Sequence, residues 1–260
     1  MFRSVLFIPC ANAKALAKAA TLQCDALIFD LEDAVGDAER DEALVRLAET
    51  LRGIFVAKTV LVRIHPQSLN AIHKALAGLR IDGLVVPKVA ELADLTGVAH
   101  IWPNLPLWAM IETAQSVVNL AEIATAGVVG LIAGPNDLRK DLRTRPMAGR
   151  ADILFALSQI VLHARANDLV ALDGVYNQYT DEVGFTVECE QGRSLGFDGK
   201  TLIHPAQIAA CEAAFSPSEA EIDWAKAVVA AFEGSPAGVV SVNGEMVERL
   251  HLEQARAILG

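Results

Sequence analysis

Hydrophobic residues fall into eight short runs, separated by longer stretches in which apolar positions recur at helical spacing. Most runs are continuously apolar rather than alternating, which is typical of parallel strands covered on both faces. The predicted strands are Val5–Ile8, Ala26–Phe29, Val60–Val62, Gly83–Val86, Leu107–Ile111, Val128–Ala133, Val170–Leu172 and Thr201–Ile203.

A helix is predicted after each strand. The predicted helices are Ala13–Thr21, Glu39–Leu51, Ser68–Leu79, Ala90–Ala99, Thr113–Thr125, Ala151–Asn167, Asp181–Leu195 and Pro205–Phe215. Eight strand–helix units in alternation favour an α/β fold, the closed (βα)8 TIM barrel. A doubly wound open sheet is the alternative, but that fold usually has fewer strands and a glycine-rich first turn, which this chain lacks.

The last part of the chain exceeds what a barrel needs. Ser216 predicts a helix cap, Val239–Val242 predicts a strand, and Glu245 follows a glycine at the predicted start of a last helix. We therefore predict a barrel over residues 1–215 and a C-terminal helical extension over 216–260, which packs on the barrel or on a neighbouring subunit.

Composition narrows the class of protein. Hydrophobic residues make up 53% of the 260 positions, which argues against disorder. The net charge of −10, with no Lys/Arg cluster, argues against a nucleic-acid partner. No apolar run approaches the roughly 18 residues of a membrane span. The four cysteines have neither zinc-finger nor C-x-x-C spacing, which favours a reduced, cytoplasmic protein.

Charged side chains collect where the predicted strands end. In a (βα)8 barrel this edge holds the active site, because the loops after the strands meet there. The residues concerned are Asp30, Glu32, Asp33, Arg63, His65, Lys88, Glu112, Asp137, Asp173 and His204. Their accumulation at one rim predicts an enzyme.

Glu112 and Asp137 supply two hard oxygen ligands at this rim. Two carboxylates, completed by water and substrate oxygens, suit Mg²⁺, with Mn²⁺ as a substitute. A zinc site would need a cluster of His and Cys ligands, and the sequence shows none. The alternative is that each carboxylate only caps the helix that follows it.

Arg63 ends the third predicted strand and needs a carboxylate partner, for which Asp33 or Glu32 is the candidate. Arg63 then forms a structural ion pair, presents a charged fork to a substrate oxygen, or does both. Lys88 raises the alternative of a Schiff-base lysine. That chemistry needs a depressed pKa, which the surrounding acids oppose.

Short motifs from the first strand to the eighth match one known family. They are RSVLFIP at 3–9, DLEDAV at 30–35, VRI at 62–64, PKV at 87–89, IET at 111–113, GPNDL at 134–138, DGVY at 173–176 and GFDGKTLIHP at 196–205. Together they resemble the citrate lyase β-subunit-like family of the aldolase/citrate lyase superfamily, which includes malyl-CoA and citramalyl-CoA lyases.

The resemblance implies roles for individual residues. Glu112 and Asp137 would bind Mg²⁺, and Arg63 would contact the acid or carbonyl oxygens of the substrate. For the coenzyme A end we predict contacts from Lys14 and His204. The family acts on acyl-CoA thioesters and small keto acids, and it forms homo-oligomers that are trimers or multiples of trimers, such as hexamers.

Two segments depart from the family pattern. The first strand leads into Pro9–Lys14 rather than a P-G-N-R-like turn, which alters the expected contacts to coenzyme A phosphates. Longer members carry an Asp in a C-terminal G-x-M-[VI]-D segment, which reaches a neighbour's site as acid or base. Here Glu248 stands in its place, at the end of Gly244–Glu248.

The predicted function is a Mg²⁺-dependent carbon–carbon lyase acting on a malyl-, citramalyl- or citryl-CoA-like thioester by Claisen-type cleavage or condensation. Arg63 would stabilise the developing charge, and Glu248 would exchange the proton at the enolate carbon. Three alternatives stay open. They are an acyl-CoA thioesterase, a metal-dependent aldolase for free 2-keto-3-hydroxy acids, and a β subunit that needs an acyl-carrier partner for turnover.

Overall fold

The computed structural model describes residues 2–53, 58–235 and 237–260. The chain divides into two compact units, Met1–Phe215 and Ser216–Gly260. Among the helices in the described ranges, none is long and apolar enough to cross a membrane.

The first unit is a closed barrel of eight parallel strands, which confirms the predicted TIM-barrel fold. The strands are β1 Ser4–Pro9, β2 Ala26–Asp30, β3 Thr59–Arg63, β4 Gly83–Val86, β5 Leu107–Ile111, β6 Gly130–Ala133, β7 Val170–Asp173 and β8 Gly199–Leu202. The barrel closes because β1 pairs on both sides, with Val5 opposite Ala26 of β2 and Thr201 of β8. The eighth strand begins two residues earlier than predicted, which places Lys200 inside it.

Helices cover the outside of the barrel. They are α1 Ala13–Lys18, α2 Arg40–Leu51, α3 Leu69–Leu76, α4 Leu92–Ile101, α5 Ala114–Val118, α6 Leu120–Ala124, α7 Pro135–Leu142, α8 Leu154–Ala166, α9 Glu182–Leu195 and α10 Ile208–Phe215. The single helix predicted over Thr113–Thr125 is wrong, because the backbone leaves helical geometry at Asn119. Helix α7 was not among the predicted helices, because its eight-residue sequence is short and mostly polar.

The barrel interior explains how functional side chains reach its mouth. Alternate residues of each strand point inward, where a cluster of buried apolar side chains fills the lumen. The cluster contains Val5, Ala26, Ile28, Leu61, Val85, Trp108, Met110, Ile132 and Leu172. The next inward positions, two residues further along the chain, are Asp30, Arg63 and Glu112. Because alternate residues of a strand point to the same face, these three charged groups also point inward and lie at the carboxyl end of the barrel.

The second unit consists of α11 Glu219–Phe232, a hairpin of β9 Val239–Val242 and β10 Glu245–Glu248, and α12 Arg249–Leu259. It has its own small core, which includes Phe232, Val247 and Leu252. The predicted strand at Val239–Val242 is present.

Two predictions in this unit are wrong. Helix α11 is capped by Ser218 rather than Ser216, because the Ser218 side chain accepts a hydrogen bond from the N–H of Glu221 in a capping box. Glu245 starts a strand rather than a helix. Asn243 and Gly244 both have positive φ, +52° and +85°, which is the geometry of a tight hairpin turn.

Candidate active site

A cavity of about 370 Å³ opens at the carboxyl ends of the strands. Its charged lining residues are Asp30, Asp33, Arg63, Glu112 and Asp137, and its other lining residues include Phe7, Met110, Gly134, Asn136, Val175, Asn177, Thr201 and Ile203. The structure therefore brings together Arg63, Glu112 and Asp137. Lys14 and His204 do not line this cavity, and Glu248 lies in the second unit.

Arg63 is clamped by Asp30. Its Nε and Nη2 atoms donate to the two carboxylate oxygens at 2.7 Å each, while Nη1 lies 3.3 Å from both Glu32 and Asp33. Burial lowers the pKa of the guanidinium, but Asp30 more than offsets this, and the pKa of Arg63 is raised. The principal partner is thus Asp30, whereas the sequence predicted Asp33 or Glu32. The predicted partners contribute a second, longer set of contacts.

One face of the guanidinium is also covered. The Phe7 ring centroid lies 5.0 Å from Cζ of Arg63, a distance at which a cation–π attraction operates. Arg63 is only 7% exposed. Two of the five N–H groups of the guanidinium donate to Asp30, and Nη1 donates to Asp33 at 3.3 Å and to the Met110 sulfur at 3.9 Å. The guanidinium therefore lines the cavity with its orientation fixed by these contacts and by Phe7.

Lys88 follows β4 and faces the same acids. Its Nζ hydrogen-bonds to Glu32 and lies 3.1 Å from Asp33. Burial lowers the pKa of Lys88, but these two acids raise it further, so that the net shift is upward. A Schiff-base nucleophile needs an uncharged amine, so the raised pKa of Lys88 argues against a Schiff-base role for this lysine.

Glu112 is 2% exposed and lines the same cavity as Asp137. Burial raises the pKa of Glu112 to about 7. The N–H of Lys88 and the charge of Arg63 act to lower it, and Asp137 acts to raise it. Gly134 makes room for this carboxylate, because a Cβ there would lie 2.4 Å from the Oε2 atom of Glu112.

The helix-capping alternative for these two carboxylates is wrong. Helix α5 is capped by the side chain of Thr113, and the cap position of α7 is Gly134. Asp137 lies inside the first turn of α7, where the helix dipole favours a negative charge but no side-chain cap bond forms. Neither Glu112 nor Asp137 is thus engaged as a cap.

The donor set fits a hard divalent cation. Five carboxyl groups line or support the mouth, Asp30, Glu32, Asp33, Glu112 and Asp137, and face the two cations Arg63 and Lys88. In the described part of the chain no three His, Cys, Asp or Glu side chains cluster as a closed metal site. Two carboxylates with room for water and ligand oxygens match Mg²⁺, which keeps part of its hydration shell.

Asp173 sits at the predicted rim but does not reach the cavity. It is fully buried, accepts hydrogen bonds from Arg150 at 2.6 and 2.9 Å, and accepts one from Lys200 at 2.9 Å. Glu188 of α9 accepts a further bond from Lys200 at 2.8 Å. This cluster ties β7 and β8 to the surrounding helices. Its role is structural.

The remaining candidates have local structural partners. Lys14 is exposed in the first turn of α1, which Asn12 caps. His204 accepts a hydrogen bond from Ala206 N–H through Nδ1, and its ring stacks on that of Tyr179 at 4.5 Å. Glu248 caps α12 in a capping box with His251.

Sequence reasoning missed a pair of amides at the cavity. Asn136 and Asn177 exchange two hydrogen bonds, of 3.2 and 2.7 Å, between the first turn of α7 and the loop after β7. The GPNDL and DGVYNQ segments contain them, but nothing in either segment indicates that they meet.

The fold and the cavity define the class of protein, a (βα)8-barrel enzyme with an acid-rich pocket at the carboxyl ends of its strands. The model of the HpcH/HpaI aldolase/citrate lyase family matches residues 3–205, and the chain belongs to that family.

Several relatives and solved structures resemble the chain over nearly its whole length. A (3S)-malyl-CoA thioesterase of Cereibacter sphaeroides is 46% identical, over 99% of this chain and 93% of the relative. A citrate lyase β subunit of Leuconostoc mesenteroides is 34% identical, over 99% and 92%. The crystal structure of CitE from Mycobacterium tuberculosis with magnesium, acetoacetate and coenzyme A is 30% identical, with a TM-score of 0.87 over 99% of this chain and 97% of that one.

Proposed function

We propose that this protein is a Mg²⁺-dependent acyl-CoA thioesterase for malyl-CoA or a closely similar β-hydroxyacyl-CoA with a second carboxylate. The observation that carries the proposal is one cavity that holds the clamped Arg63 beside the Glu112–Asp137 pair. We favour hydrolysis over carbon–carbon cleavage because the relative named a (3S)-malyl-CoA thioesterase is 46% identical to this chain, whereas the citrate lyase β subunit is 34% identical to it.

The cavity offers a place for each part of such a substrate. Glu112 and Asp137 would hold Mg²⁺, which supplies Lewis-acid polarisation of a substrate oxygen when it is bound. The CitE structures with magnesium and small keto acids support this assignment. Arg63, held by Asp30, would bind the free carboxylate or the oxygen on which charge develops. The apolar side chains of Phe7 and Met110 restrict water around that group.

The proposal is tested with purified protein and malyl-, citramalyl- and citryl-CoA, with and without Mg²⁺. Hydrolysis releases free CoA thiol and the corresponding free hydroxy acid, which thiol titration and mass spectrometry detect. Glu112→Gln and Asp137→Asn should abolish both Mg²⁺ binding and turnover. Glu122→Gln is the control, because Glu122 is exposed on α6 and does not line the cavity. Equal activity with and without Mg²⁺ would contradict the proposal.

Carbon–carbon cleavage is the second candidate. It is supported by the relatives named citrate lyase β subunit and by the CitE structure that contains both acetoacetate and coenzyme A. In that case the products are an acyl-CoA and a keto acid, and no free thiol appears. Glu248 from a neighbouring copy would then exchange the enolate proton, and Glu248→Ala would stop turnover. Turnover only after addition of an acyl-carrier subunit would indicate a β subunit of a larger complex.

A further inference from the structure

Lys88 has an unusual backbone for a residue with a side chain. Its φ is +52°, in the left-handed region that residues with a Cβ adopt only at an energetic cost. The residue stands directly after Pro87, where β4 has ended at Val86. The turn is thus maintained by its surroundings, which raises the question of what it positions.

The left-handed turn presents the N–H of Lys88 to the buried Glu112. The N–H donates to Oε1 of that carboxylate at 2.7 Å. Because Glu112 is 2% exposed, solvent does little to satisfy the carboxylate. A hydrogen bond from a fixed backbone group restricts the rotation of the carboxylate before any cation binds.

The side chain of Lys88 acts on a different group. Its ammonium bridges Glu32 and Asp33, and both of these acids lie 3.3 Å from Nη1 of Arg63. Without the ammonium, the two neighbouring carboxylates would repel each other and compete for the guanidinium. The lysine charge therefore holds the acids in an arrangement in which Arg63 keeps its pairing with Asp30.

We propose that Lys88 is a positioning residue with two separable parts. Its backbone N–H orients the metal ligand Glu112, and its ammonium orients Arg63 through Glu32 and Asp33. The inference rests on the magnesium site of the proposed function. It adds a residue that links the cation side of the cavity to the guanidinium side.

Substitutions at position 88 separate the two parts. Lys88→Gly and Lys88→Asn remove the ammonium but tolerate a positive φ, whereas Lys88→Val removes the ammonium and resists that conformation. Asp168→Val is the matched control. Asp168 has a φ of +55° just before β7, at the opposite end of the barrel.

Two readouts are needed, the affinity for Mn²⁺ by electron paramagnetic resonance and kcat/KM on malyl-CoA. We expect Lys88→Val to weaken Mn²⁺ binding about tenfold or more, as loss of a partner to a metal ligand typically does. Lys88→Gly and Lys88→Asn should keep Mn²⁺ affinity within about threefold while kcat/KM falls about tenfold. Asp168→Val should change thermal stability alone.

Each part of the inference has its own contrary result. Equal loss of Mn²⁺ affinity in Lys88→Gly and Lys88→Val would overturn the backbone role. An unchanged kcat/KM in Lys88→Gly would overturn the ammonium role. If wild-type protein binds no Mn²⁺, the proposed function itself fails. If the wild-type protein binds Mn²⁺ but does not turn over malyl-CoA, the affinity for free malate, measured by calorimetry, replaces kcat/KM as the readout for Arg63. Unchanged malate affinity in Lys88→Gly would then overturn the ammonium role.

Discussion

Arg63 and Asp30 meet edge to edge, with the Nε–Oδ1 and Nη2–Oδ2 distances both 2.7 Å. Asp30 also accepts hydrogen bonds from the backbone N–H groups of Glu32 and Ala34, at 3.0 and 3.3 Å. One buried carboxylate therefore orders the loop after β2 and orients the guanidinium at the end of β3. Adjacent parallel strands make this possible, because Asp30 and Arg63 are register partners.

Asp30→Asn should impair both stability and catalysis. The change leaves only the longer contacts to Glu32 and Asp33, each 3.3 Å from Nη1, as charged partners of the guanidinium, and removing the main partner from a buried pair typically costs about 3–5 kcal/mol. We expect urea unfolding to give a lower free energy of unfolding. We also expect kcat/KM on the thioester to fall at least tenfold, roughly the loss of activity that removing an orienting partner of a functional group typically causes. Asp223→Asn is the control, since its pair with Lys226 is exposed and such pairs contribute about 0–1 kcal/mol. A variant as active as wild type would show that the clamp is dispensable.

Gly134→Ala should damage the cation site while leaving the barrel folded. The added Cβ would lie 2.4 Å from both Cβ and Oε2 of Glu112, so the carboxylate has to move. We expect Mn²⁺ affinity to fall about 10–100-fold with little change in circular dichroism. In the control Gly97→Ala, the new methyl group meets no atom within 4 Å on α4, and it should stabilise the helix by about 0.5–1 kcal/mol. Unchanged metal affinity in Gly134→Ala would contradict the assignment of Glu112.

Asp173 should make the protein acid-sensitive. Burial raises the pKa of this carboxyl, but Lys200 and Arg150 lower it more, and the net shift is downward. A depressed pKa stabilises the fold fully above the ordinary value of 3.8, and this contribution is lost as pH falls through the lower pKa of the folded state. Urea unfolding from neutral pH down to about pH 3 measures this loss.

The matching variant is Asp173→Asn. It removes the buried carboxylate that Lys200 and Arg150 share and leaves Glu188, 2.8 Å from Lys200 and 3.9 Å from Arg150, as their remaining acid partner. This loss should cost up to about 3–5 kcal/mol at neutral pH. Its free energy of unfolding should then depend less on pH in the acid range than that of the wild type. Parallel curves for the two proteins would show that Asp173 does not control acid stability.

The Asn136–Asn177 pair should affect substrate binding more than chemistry. Both amides line the cavity and are exposed, and a neutral hydrogen bond of this kind contributes about 0.5–1.5 kcal/mol. We expect Asn177→Ala to raise KM several-fold, on the order of that energy, while kcat stays near the wild-type value. Gln178→Ala is the control, because Gln178 is exposed beside Asn177 but does not line this cavity. A fall in kcat with constant KM would instead assign the pair to the reacting centre.

The barrel could be predicted from local patterns because each strand and each long helix carries its own periodicity. Eight apolar runs alternating with helical segments suffice for a closed parallel barrel, and the strand ends place Arg63, Glu112 and Asp137 near one another. Family motifs then indicate a metal role for Glu112 and Asp137. These conclusions needed no knowledge of side-chain direction.

Other features depended on tertiary structure. Continuously apolar strands do not reveal which alternate residues face the lumen, so the sequence predicted Asp33 or Glu32, rather than Asp30, as the partner of Arg63. Barrel closure selects Asp30 by pointing it inward. The same closure turns Asp173 and Lys200 outward into a buried ion cluster and sets the left-handed turn at Lys88 against Glu112. Periodicity along the chain determined the architecture, whereas the contacts between strands distant in sequence decided which charged groups meet.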